Sequence, residues 1–133
     1  MPVMILVSAL SLVVTVCWTR RCRLNAEAFA PGTHRYGPGL AVWGWLIPVG
    51  NLWIPRRVML DVRRASGLTG PARLIEGWWW VRLVKLPVAL AVGRIMPNPM
   101  VSLHVALISA VSGILLLLVI REITAAQAER LAA

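Results

Sequence analysis

Four predominantly apolar stretches alternate with short polar connections along the chain. The first, residues 1–19 (MPVMILVSALSLVVTVCWT), has no charged side chain. As a helix it covers about 28 Å, close to the ~30 Å hydrocarbon core of a bilayer. Arg20, Arg21 and Arg23 follow at once. A signal peptide carries its positive charges before the apolar run, not after it, so the pattern predicts a retained helix. RRCRLNAEAF continues that helix past the lipid, and PGTHRYGPG has the turn residues of a loop.

Residues 38–55 form a second uncharged stretch, interrupted by Pro48, Gly50, Asn51 and Pro55. A proline inside a helix removes a hydrogen bond and clashes with the preceding turn. Such broken backbone is tolerated at membrane depth only against protein or a water-filled cavity. The pattern predicts a short helix over 40–47 that enters the membrane and breaks at Pro48, with Asn51 helping to satisfy the freed backbone groups. Trp43, Trp45 and Trp53 are expected at headgroup level, where an indole N–H meets water. Residues 56–66 (RRVMLDVRRAS) place Val58, Met59 and Val62 on one arc and Arg56, Arg57, Asp61 and Arg64 on the other. This is either an amphipathic helix lying on an anionic leaflet or a cytoplasmic linker whose charges fix orientation. GLTGP (67–71) is a turn.

The third stretch, about 74–95, carries Trp78, Trp79 and Trp80 as an expected interfacial anchor. Arg82, Lys85 and Arg94 are embedded in it, and Pro87 is expected to kink it. MPNP (96–99) is a tight turn. Residues 99–120 make the longest clean run, followed by a helix-friendly tail, 121–133.

Composition agrees with this pattern. The chain has 133 residues, 59% of them hydrophobic and 14% charged, with a mean hydropathy of +0.75. A soluble domain this small needs more polar residues to cover its surface, and disorder needs lower hydrophobicity. The formal charge of +9 could mark a nucleic-acid binder. The arginines instead cluster beside the apolar runs, where orientation charges belong, so nucleic acid is not an expected partner. Two cysteines make no framework: Cys17 is expected as a small buried hydrophobe, Cys22 as an interfacial thiol, with no disulfide.

Charge placement orders the topologies. If residues 38–55 dip in and return, eleven of the fourteen basic residues lie on the cytoplasmic side. If they cross, the arginine clusters divide between the two sides. The expectation is therefore a single all-α membrane domain, residues 1–133. It has three full spans (1–19, 74–95, 99–120) plus one proline-broken re-entrant or interfacial segment, N-terminus outside and C-terminus cytoplasmic. Four full spans are the alternative.

WGWLIPVGNLWIPRRVMLDVRRAS resembles the domain-of-unknown-function 4328 family, bacterial and mainly actinobacterial membrane proteins. The resemblance rests on Trp45-Leu46-Ile47-Pro48, then Asn51-Leu52-Trp53 and Pro55. Arg23-Leu24-Asn25-Ala26, Gly39-Leu40-Ala41-Val42 and Gly77-Trp78-Trp79-Trp80 fit it too. It covers nearly the whole chain, and implies several helices in a bacterial inner membrane but no reaction or ligand. Family members tend to carry a further apolar segment upstream. Either this start is truncated or the span count is reduced.

Candidate chemistry is sparse. There is no phosphate-cradling glycine loop, nucleophile elbow or metal-ligand cluster, so no catalytic, cofactor or metal residues are expected. His34 and His104 have no obvious acidic partner, and His104 reads as a helix-contact residue in the last span. Asp61 is expected to pair with Arg57 or Arg64 at helical spacing. Arg82 and Lys85 either snorkel to the interface or meet an anionic lipid or acidic helix. Ser102, Ala106, Ser109 and Gly113 form a small-residue stripe for helix packing, within the chain or between copies. Ser8, Ser11 and Thr15 form a weaker one. The expected role is a non-enzymatic scaffold or accessory subunit. Its cytoplasmic Arg56, Arg57, Arg63 and Arg64 would contact anionic lipid or an acidic protein. The alternative is a small transporter or channel component using the broken segment between Pro48 and Asn51.

Overall fold

A computed structural model describes the backbone of residues 2–95 and 99–133, with side chains except those of residues 2, 4, 5, 89, 92–95 and 99–102. The expected 96–99 turn lies largely outside the described residues, and Ser102 and Arg94 fall among the side chains left out. Every regular element among the described residues is helical: α1 (Pro2–Phe29), α2 (Pro38–Trp43), a 3-10 turn (Gly50–Leu52), α3 (Ile54–Ala65), α4 (Arg73–Ile95) and α5 (Pro99–Ala132). The chain divides into two compact units, Met1–Thr69 with Ile123–Ala133, and Gly70–Glu122.

In the first unit, α1 runs through RRCRLNAEAF as its pattern predicts and stops before Pro31, which cannot continue the helical hydrogen bonds. Gly32 then takes a positive φ of 72°, a backbone region open to glycine at little cost. One face of α1 is buried: Thr15, Thr19, Cys22, Arg23 and Ala26. Thr15 and Thr19 return their hydroxyls to the carbonyls of Ser11 and Thr15, at 2.7 and 2.8 Å, which removes both polar groups from the interface.

The adjoining side of α1 meets the last turns of α5. Trp18 Nε1 donates to Thr124 Oγ1 (3.1 Å) and Asn25 Nδ2 to Gln127 Oε1 (3.1 Å). Gln127 Nε2 donates to the Cys22 carbonyl (3.0 Å), and the Arg130 guanidinium lies 5.7 Å from the centre of the Phe29 ring. Residue numbers rise together along both helices, so α1 and the end of α5 run parallel. Cys22 is therefore a core residue, and Cys17 is the exposed one, the reverse of the expectation. The apolar pattern alone does not distinguish them. Cys22 lies on the face of Thr15, Thr19 and Ala26, and Cys17 does not.

The proline-broken segment folds back on itself. Helix α2 ends at Trp43, well short of the expected break at Pro48. Gly44, the C-cap, keeps helical angles, and Pro48 has no N–H to offer its carbonyl. A Cβ on Gly44 would collide with the Ile54 side chain and come within 2.7 Å of the Leu40 carbonyl oxygen. At Gly50 it would come within 2.8 Å of Ile54 Cδ1. Ile54, at the start of α3, thus packs on both glycines and closes residues 44–54 into a knuckle. Beyond Pro48 the chain resumes a turn, with the Asn51 N–H donating to the Ile47 carbonyl at 2.7 Å. Pro55 sits in the first turn of α3, where a helix has no partner for its N–H groups. Trp45 is 6% exposed, so it belongs to the core and not to the expected headgroup-level set. Trp43, Leu46, Val49, Leu52 and Trp53 remain exposed on the knuckle.

Helix α3 has the predicted two faces, with Val58, Met59 and Val62 buried. Its apolar side packs on α1 and α2, so it is already covered by protein and not free to lie on a leaflet. The helix ends in a Schellman motif. Gly67 has φ of 86°, its N–H reaches the Arg64 carbonyl (3.0 Å), and Leu68 N–H reaches that of Arg63 (3.3 Å).

In the second unit, Ile75, Trp78, Trp79 and Val119 are buried. Trp78 and Trp79 are 2% and 4% exposed, so only Trp80 of the expected anchor faces outward. Their rings are 5.8 Å apart and inclined at 55°. Helix α4 continues through Pro87. Trp80, Val81 and Val84 line a groove of about 400 Å3 with Leu107, Ile108 and Val111. A Cβ on Gly77 would lie 3.9 Å from Leu115. The descending partner numbers make α4 and this part of α5 antiparallel.

Candidate functional site

The loop after α1 must satisfy its backbone without regular structure, and it does so through one buried cation. Arg23 reaches from α1 with Nε and Nη2 donating to the Tyr36 carbonyl (3.1 and 2.9 Å) and Nη1 to Glu27 Oε2 (2.7 Å). Glu27 Oε1 accepts the N–H of Gly32 at 3.0 Å. From α3, Asp61 Oδ2 accepts the N–H of Arg35 (3.3 Å), and Arg57 Nη1 donates to the Tyr36 hydroxyl (3.2 Å). Residues 30–37 are thus tied to α1 and α3 through side chains of both signs. Asp61 serves this loop and not the expected Arg57 or Arg64 pairing. The bond to Arg35 spans 26 positions in sequence, which helical spacing cannot anticipate.

His34 sits at the centre of this junction, its side chain 1% exposed. Nδ1 lies 3.3 Å from Glu27 Oε2, close but without hydrogen-bond alignment, and neither ring nitrogen makes a hydrogen bond to the described residues. No acidic partner for His34 is obvious from the sequence. The signal was available in the spacing of Glu27 and His34 across the turn, but it needs the Pro31–Gly32 reversal to become a contact. Burial pushes the His34 pKa below its ordinary 6.5, Arg23 lowers it further, and Glu27 and Asp61 oppose both. The Gly32 N–H and Arg23 hold the Glu27 carboxyl below its ordinary 4.5.

Both shifts act in one direction on stability. The unfolded loop takes up protons before the folded one, so the closed loop is fully supported above about pH 6.5. Support falls as pH drops through the folded value of His34, and again below pH 4.5 through that of Glu27. Amide exchange in residues 32–37 is expected to quicken on acidification from about pH 7.5 to 5.5, after correction for intrinsic rates. The variant His34→Phe should lose that dependence. An unchanged pH profile in the variant would assign the effect elsewhere.

The other candidate residues do not converge on one place. Arg63 is 7% exposed and donates to the Leu68 carbonyl at 3.2 Å, so it clasps the end of α3 and is not part of an outer basic face. Arg56 is half-buried, and Arg57 and Arg64 are exposed. The Arg82 guanidinium lies 5.6 Å from the ring centres of both Trp78 and Trp79, a cation–π arrangement that neither expectation for it foresaw. Lys85 is half-buried. Pro48 and Trp53 are exposed, Asn51 is half-buried and Pro55 is buried. Ala106, Gly113 and His104 are exposed, and Ser109 bonds the Val105 carbonyl of its own helix at 2.7 Å. Burial of the Cys22 thiol pushes its pKa up to about 11, against the opposing effect of Arg21, which makes it a poor nucleophile. No group of three His, Cys, Asp or Glu side chains among the described residues could hold a metal ion.

No curated protein and no solved structure matched the chain. The family model described as a domain of unknown function, DUF4328, matches residues 2–125. The knuckle built on Trp45, Pro48, Asn51, Trp53 and Pro55 and the loop held by Arg23 both fall within that match, and the chain belongs to the DUF4328 family.

Proposed function

We propose that this is a multi-pass bacterial inner-membrane protein, a non-enzymatic scaffold or accessory subunit whose cytoplasmic junction meets anionic lipid or an acidic partner. The observation that carries the reading is the exposed oil on α5. Leu103, Leu107, Val111, Ile114, Leu117 and Leu118 all face outward, an arrangement that water does not tolerate over such a length. Among the described residues, one helix is long and apolar enough to cross a membrane, and it lies within α5. The start of the 1–19 run lies partly outside the described side chains. Where described, it too faces outward at Val3, Leu6, Val7, Leu10, Val13 and Val14.

Two features support three spans over four. The parallel run of α1 and the end of α5 fits an odd number of crossings from the start of α1 to the end of α5, and a fourth crossing would make the two antiparallel. The knuckle brings Gly44 against Ile54, whereas a continuous crossing helix would hold these two residues about 15 Å apart. Its exposed Trp43, Leu46, Val49, Leu52 and Trp53 suit shallow insertion at the headgroup boundary. Ile54 filling the space beside both glycines favours a plug over a pathway, so the transporter reading gains nothing from this segment. Arg20, Arg21, Arg35, Arg57 and Arg64 of the first unit are exposed and available to anionic lipid or an acidic partner.

Single cysteines test the topology, introduced after replacing Cys17 and Cys22 by alanine. Thr69→Cys and Ala133→Cys should react with an impermeant thiol reagent only in opened cells, and Asn98→Cys in intact ones. Labelling of position 69 in intact cells would overturn the arrangement. Recovery of the chain in the detergent-free supernatant after ultracentrifugation would overturn the membrane reading itself.

A further inference from the structure

We propose that the groove between α1 and the last turns of α5 binds the headgroup of an anionic phospholipid, with Arg21 as its charge partner. The inference rests on the membrane reading and adds a site to it. The groove encloses about 350 Å3 in the first unit, and no acidic residue lines it. That volume is within the range of small-ligand sites.

Position selects lipid over other anions. The uncharged run of α1 ends at Thr19, and that of α5 at Ile120. Within the first unit, the Trp18–Thr124 bond sets the last residues of the uncharged α1 run level with the start of the polar end of α5. The groove therefore opens at the level where hydrocarbon gives way to headgroups, the depth that tryptophan and arginine favour. Basic pockets between helices on the cytoplasmic side are suited to anionic headgroups.

Chemistry fits the same occupant. Arg21 is exposed on the rim, and no acidic partner for it is found among the described residues. The Thr124 hydroxyl accepts from Trp18 and keeps its own proton to donate to a phosphate oxygen. The floor is closed by buried Gln127, whose oxygen accepts from Asn25 and whose nitrogen donates to the Cys22 carbonyl. The wall carries Leu131, apolar surface for the glycerol backbone. A soluble anion would use the charge alone and leave this wall against water.

The test uses the purified full chain in detergent with equal amounts of phosphatidylglycerol and phosphatidylcholine of identical chains. Retained lipid is counted by native mass spectrometry. The wild type should prefer phosphatidylglycerol. Arg21→Gln should reduce that preference about fivefold, and Arg21→Lys should restore part of it. Ala128→Trp fills the groove without changing any charge and should lose the lipid as well, while Arg35→Gln should keep it. Wild-type preference in both Arg21→Gln and Ala128→Trp would overturn the site. So would sn-glycerol 3-phosphate in solution competing as well as the lipid does. A chain that stays in the membrane fraction yet ignores Arg21 overturns this site alone. A chain found in the supernatant overturns the membrane reading and this site with it.

Discussion

Replacing Arg23 by methionine is expected to cost the first unit about 2–3 kcal/mol and to release the loop of residues 30–37. The guanidinium is buried and delivers two hydrogen bonds to one backbone carbonyl, that of Tyr36. Methionine matches its apolar stem but leaves that carbonyl without its donors. The figure rests on those two bonds. The Glu27 side chain is 42% exposed, and an ion pair with such a partner adds little. Arg23→Lys should recover only part of the loss, because an ammonium cannot reproduce the planar fork that serves Tyr36 and Glu27 together. Denaturation midpoints in detergent and amide exchange at residues 32–37 would measure both effects. Equal stability of the methionine variant would mean that the loop is held by Asp61 and Arg57 alone.

A change of comparable size is expected at Gly44. Its Cβ would strike Ile54 and approach the Leu40 carbonyl oxygen, so Gly44→Val must push α2 from α3 at a cost of about 1–3 kcal/mol. Gly50→Ala should cost less, because the nearest atom is the flexible end of Ile54. Gly39→Ala should be nearly neutral on packing grounds, since nothing lies within 4 Å of its Cβ position. Combining Gly44→Val with Ile54→Ala tests the cause. If the collision with Ile54 dominates, the double variant should be more stable than the two separate losses added together. Strict additivity would place the strain on the Leu40 carbonyl instead.

These two positions also show where reading the chain stops working. The sequence contains the prolines and glycines of the 44–55 knuckle, and from them a break is legible. Its shape is not, because the fold-back depends on Ile54 closing against Gly44 and Gly50, a contact ten positions along the chain that Pro48 alone does not specify. Arg23 looks like one more orientation charge beside Arg20 and Arg21. Its burial depends on the loop turning back at Gly32, a contact 13 positions away in sequence. The tryptophans teach the same lesson. Composition marks Trp45, Trp78 and Trp79 as amphipathic residues suited to an interface, yet their large apolar rings are spent in the core, while Trp43, Trp53 and Trp80 stay outside.

What the sequence determined by itself is the helical character, the limits of the long helices and the membership of the family. Helices are set by local periodicity, by uncharged run length and by where proline and glycine stop hydrogen bonding, all properties of neighbours in the chain. Only the tertiary structure decided that Arg23 and Arg63 are internal, that His34 is enclosed beside Glu27, that Asp61 holds the loop and that α1 runs parallel to the end of α5. Those outcomes depend on distances between residues far apart in sequence. A charge turns inward only when a carbonyl or carboxylate is placed to meet it, and only the folded chain brings the two together.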